Sequence, residues 1–91
     1  MKIAFNKNVQ FTKLIKADGH LREFNFRKIN NEGNISFSVD VSDDRGNRKM
    51  FKMRKEQNAW KLQDSEQFPD WILKNESVLN EMILEEVGND A

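Results

Sequence analysis

The chain has 91 residues, 37% of them hydrophobic and 33% charged, with seven Phe, two Trp and a formal net charge of zero. That length fits a single domain over 1–91, and disordered chains are poor in such aromatics, so a folded core is expected. Cysteine is absent, which excludes disulfides, thiolate metal sites and a thiol nucleophile.

No apolar run near the start resembles a signal peptide, and none approaches the roughly 18 residues of a membrane span. A cytoplasmic location without membrane contact is therefore the expectation. Ile3 and Phe5 alternate before Asn6-Lys7-Asn8, and Val9 and Phe11 alternate after it, which predicts a short strand over about 2–5 and a first hairpin. Asp18-Gly19 is the clearest turn signal. A type I′ turn needs positive φ at both central residues, and Asp-Gly supplies this with little strain. A two-residue loop there joins strands over about 9–16 and 20–29 and sets Ala17 opposite His20. Phe11 then faces Phe26, Lys13 faces Phe24 and Ile15 faces Arg22. Two rings meeting on one face is what a core-facing register requires.

Ile35, Phe37, Val39 and Val41 alternate with Ser36, Ser38, Asp40 and Ser42, predicting a strand over 34–42 with one buried and one wet face. Asn30 to Gly33 makes the turn before it, and Asp43 to Asn47 the turn after. Phe51 and Met53 continue the inward face in a strand over about 47–55, and Trp60 and Leu62 do so in a last strand over 59–62. All these connections are hairpin-length, so neighbours in sequence should be neighbours in the sheet. A helix is predicted over about 68–87. Pro69 suits its first turn, Asp70 suits its positive end, and Gly88 suits its C-terminal stop. Phe68, Ile72, Asn75, Leu79, Met82 and Ile83 share a stripe about 100° wide. Asn75 is the polar exception in it. The fold class is therefore α+β: an antiparallel β-meander of about five strands with one C-terminal amphipathic helix packed on one face.

Little in the chain points to chemistry. His20 is the only histidine and sits beside the tight turn; no Ser, acid or Cys is placed to pair with it. Asp40, Asp43 and Asp44 cluster before Gly46, but Arg45 stands in the middle and no Glu follows until Glu56, against a calcium loop of the EF-hand kind. The glycines are isolated, so no phosphate-cradling loop is present. The expectation is a protein that is not an enzyme, with no cofactor and no metal site.

Charge is the unusual feature. Residues 64–91 hold eight acids and one base, Lys74, while residues 1–63 hold fourteen bases and seven acids. The two parts thus carry −7 and +7. An acidic helix complementing a basic sheet is the simpler account; a basic surface awaiting an anionic partner is the sharper one. On the helix, Leu73 and Leu84 stand three turns apart on a side expected to face away from the sheet. Covering them with a second subunit makes a homodimer, or an unknown protein partner, the expected assembly, with the helix acids meeting Lys52 and Arg54 on the partner's sheet. The expected function is therefore a non-enzymatic interaction module. The order of elements over roughly 9–87 is also similar, in outline, to whirly-type and Pur-type single-strand-binding domains. That resemblance implies weak single-stranded nucleic-acid binding on the outer sheet face, where Arg27, Lys52, Arg54 and Lys61, and also the acids Glu23 and Asp40, have outward parity.

Overall fold

A computed structural model of the protein describes residues 9–64 and 68–87. Five strands follow in turn: β1 (Gln10–Ala17), β2 (His20–Asn31), β3 (Asn34–Ser42), β4 (Arg48–Glu56) and β5 (Ala59–Leu62). Each pairs antiparallel with the next, so the sheet is a curled meander in the order β1-β2-β3-β4-β5. The strand expected over 2–5 lies outside the described residues.

Turn chemistry sets the register. Asp18 and Gly19 take φ of 55° and 81°, and Ala17 pairs with His20, as the two-residue loop requires. Phe11 consequently pairs with Phe26, and their rings stack at 4.7 Å between centroids and 10° between planes. The next hairpin turns on Glu32 and Gly33, also at positive φ, so β2 runs two residues past the expected Ile29. Asn30 steadies that turn by accepting the Gly33 N–H on Oδ1. The longer loop between β3 and β4 is organised by Asp43, whose Oδ1 accepts the backbone N–H groups of Arg45 and Asn47. The Asn47 bond is the main cause holding the Asp43 carboxyl below its ordinary pKa.

The C-terminal segment departs from a continuous helix. α1 (Asp70–Leu73) and α2 (Glu76–Val87) are separated at Lys74 and Asn75. In an unbroken helix the Asn75 N–H would donate to the Trp71 carbonyl. Instead it donates to the Ile72 carbonyl at 3.0 Å, and the Asn75 side-chain amide takes the Trp71 carbonyl at 2.6 Å. The side chain has displaced the backbone from its own bond, the competition that makes Asn a poor helix-interior residue. Pro69 precedes α1 in an extended conformation rather than forming its first residue. Neither helix is long and apolar enough to cross a membrane.

The inward sheet face and α2 enclose the core. Trp60, Phe24, Phe26, Phe37, Met53, Val39 and Val41 from the strands meet Ile72, Leu79 and Ile83 from the helices. Rings run across the sheet from Phe11 to Phe37 to Trp60, with the last pair edge-on at 5.0 Å. α2 starts beside β5, where Glu76 Oε2 accepts the Leu62 N–H and Asn80 Oδ1 accepts the Trp60 N–H. Its last turn reaches β1, where Glu85 and Glu86 meet Lys13 at 3.2 and 3.1 Å. The helix therefore crosses the strands.

Replacing Phe37 by Ala should cost about 3–5 kcal/mol of unfolding free energy in urea titrations, because the site is fully buried between two rings. A loss below about 1 kcal/mol would show that β3 is not central. Replacing Asn80 by Ala strands the Trp60 N–H at the sheet edge and should cost about 1–3 kcal/mol in the same assay.

Candidate functional site

Period-two alternation sends half of each strand away from the helix, and no described element covers that outer face. The register arranges its side chains in rows. Arg27 pairs with Ser38 and Ser38 with Lys52, making one row; Ile29, Ser36, Arg54 and Lys61 make the next. Arg27, Lys52, Arg54 and Lys61 thus form a basic band from β2 to β5, roughly 14 Å across at about 4.8 Å per strand. The hydroxyls of Ser36 and Ser38 lie within it, and neither row holds an acid. All four cations are exposed, and none is ion-paired with a described residue.

Beside the band runs a polar ladder. Thr12 Oγ1 donates to Asn25 Oδ1 at 2.7 Å, Asn25 Nδ2 donates to Asp40 Oδ1 at 3.0 Å, and Arg48 approaches the same oxygen at 3.9 Å. Together with Gln10 and Arg27 these residues line an open hollow of about 360 Å³. Exposed apolar side chains stand among charged ones on the rest of the face, which also carries Lys16, Glu23 and Arg48. Leu14 and Leu21, diagonal neighbours across β1 and β2, are 63% and 67% exposed, and Met50 on β4 is 62% exposed. No described residue of the outer face is aromatic.

The four residues expected to form an interface do not come together. Lys52 and Arg54 stand on the outer face, whereas Leu73 and Leu84 are half-buried and pack against the core on the helix side. The expectation that both leucines face away from the sheet is thus corrected. Ile72 and Ile83, also eleven positions apart, are both fully buried, so the apolar phase carries across Asn75 and both leucines flank the buried stripe instead of opposing it. His20 is exposed at the hairpin. Asp43 is committed to its loop and Asp44 to Arg22. Among the described residues no three His, Cys, Asp or Glu side chains are grouped as metal ligands.

Arg22 is the residue that sequence reasoning passed over. It is only 8% exposed and lies on the inward face, with Nη2 2.9 Å from Asp44 and 3.7 Å from Asp18. Its Nε donates to the Ala17 carbonyl at 2.9 Å, and its guanidinium lies 4.8 Å from the Trp71 ring centre. Pairing Ile15 with Arg22 already placed the side chain inward; Asp44 and Trp71 reach it from a loop and a helix far away in sequence. The helix acids are answered on their own side of the sheet by Lys13, whose hydrogen bonds to Glu86 and then Glu85 raise its pKa above the ordinary 10.5. No family model, curated protein or solved structure matches the chain.

The raised Lys13 pKa has a definite sign in stability. The pairing contributes fully below pH 10.5 and is lost as pH rises through the higher folded-state value. Wild type should lose stability through that alkaline window more steeply than Lys13→Met, as read by urea midpoints. Parallel curves would show that the Lys13 bonds to Glu85 and Glu86 do not form in solution.

Proposed function

We propose that this chain is a non-enzymatic interaction module that binds an acidic protein segment on the outer face of its sheet. The observation carrying this reading is the basic band of Arg27, Lys52, Arg54 and Lys61, exposed and remote from the helix acids. The two rows hold four cations and no acid, with Asp40 and Glu56 only in the flanking rows, so the band keeps a positive potential that steers and holds an anionic partner. Three exposed apolar side chains on the same face, Leu14, Leu21 and Met50, supply the anchors that a protein interface needs. A single-stranded nucleic acid fits this face less well, since its bases want aromatic stacking platforms and the described outer face has none.

The test is fluorescence anisotropy with labelled polyglutamate and labelled single-stranded oligothymidylate, each at low and physiological salt. Polyglutamate should bind and weaken as salt rises, and Lys52→Gln with Arg54→Gln should abolish the signal while leaving the melting temperature unchanged. Tight oligothymidylate binding without polyglutamate binding would move the assignment to nucleic acid. Binding that survives the double substitution would place the site elsewhere.

A further inference from the structure

The two charged surfaces of this molecule point in opposite directions. On the helix side, Ser77, Glu81, Leu84 and Glu85 fall within an arc of about 100° at 3.6 residues per turn; the three polar residues are exposed and Leu84 is half-buried. The stretch 68–87 carries five acids and one base. On the other side of the sheet lies the band of Arg27, Lys52, Arg54 and Lys61. The sheet itself, and the core beneath it, separate the two. Packed layers stand roughly 10 Å apart, beyond the Debye length of about 8 Å at physiological salt. Within one molecule no acid of α2 makes an ion pair with the outer band. The helix-side contacts to Lys13 leave that band untouched.

We infer that a second copy of this chain is the acidic partner: α2 of one molecule docks on the outer sheet face of the next. This rests on reading the outer face as the binding surface, and it names the occupant. Charge decides the geometry. Pairing two outer faces band to band about a two-fold axis sets Lys52 and Arg54 against cations, and pairing two helices along this arc sets Glu81 and Glu85 against acids. Both isologous arrangements bring like charges together. The head-to-tail arrangement brings exposed Glu81 onto the basic band, with Glu85, which also meets Lys13 in its own molecule, beside it. A heterologous contact between opposite faces of one molecule runs on as an open chain unless its rotation closes a ring, and in neither case does it make a two-fold dimer. A net charge of zero leaves no overall repulsion against growth.

Light scattering over a concentration series at low salt tests this. Wild-type mass should rise continuously with concentration and return to that of the monomer at high salt. The sheet variant, Lys52→Gln with Arg54→Gln, and the helix variant, Glu81→Gln with Glu85→Gln, should each stay monomeric with unaltered circular dichroism. Lys13 keeps Glu86 in the helix variant. Mixed in equal amounts, the two variants should form a species of twice the monomer mass and no larger, because each retains only one of the two surfaces. Wild type that stays monomeric, or that stops at a dimer, overturns the inference, as does a mixture that stays monomeric. Monomeric wild type that still binds polyglutamate would leave the outer face as a site for another protein's acidic segment. Loss of both would remove the functional reading as well.

Discussion

A sheet of five strands is about 24 Å wide, while a helix with its side chains is only about 10–12 Å across. One helix covers one face of such a sheet only by running across the strands, and α2 does so, from Leu62 and Trp60 on β5 to Lys13 on β1. The rest of the architecture follows. The sheet curls toward the helix, and aromatic rings on β1, β2, β3 and β5 bridge the width that aliphatic side chains of one helix would leave unfilled. With a single helix available, the opposite face stays open to water.

Polar groups fasten the seam between the two layers. The outer edge of β5 directs the N–H groups of Trp60 and Leu62 away from β4, and an unpaired edge invites pairing with another strand. Asn80 and Glu76 fill those positions, so the helix closes the edge as well as the face. At the other end Arg22 ties the β1–β2 hairpin to the loop after β3 and to Trp71 of α1. A buried guanidinium is tolerable there because carboxylates, carbonyls and an aromatic face all receive it. The indole N–H of Trp60 is the exception: it is buried with no acceptor among the described residues.

The same layering partitions charge. Lysines of inward parity, Lys13, Lys28, Lys49 and Lys55, are half-buried around the helix side, and Lys13 meets the acids of α2 directly. Cations of outward parity have a whole sheet between them and those acids. A basic first part and an acidic second part therefore do not simply annul one another. On the outer face Asp40 meets Arg48, while the rows of Arg27, Lys52, Arg54 and Lys61 hold no acid, which gives that band a distinct electrostatic character despite zero net charge.

Local rules made much of the sheet legible in the chain. Asp18-Gly19 specifies a tight turn through φ alone, and the unbroken alternation from Ile35 to Val41 specifies which face is buried, because side chains on a strand alternate whatever lies above them. The placement of Arg27, Lys52, Arg54 and Lys61 on the outer face follows from the same parity. Tertiary structure decided what depends on two elements meeting. The apolar stripe predicted a single helix, but Asn75 splits it by competing for the Trp71 carbonyl, and Leu73 and Leu84 pack against the core instead of facing away from it. Burial of Arg22 needs Asp44 and Trp71, and the roles of Asn80 and Glu76 need the β5 edge; these contacts span between 14 and 49 positions along the chain. Periodicity reports which side of an element is apolar, whereas a hydrogen bond depends on where the other element comes to rest.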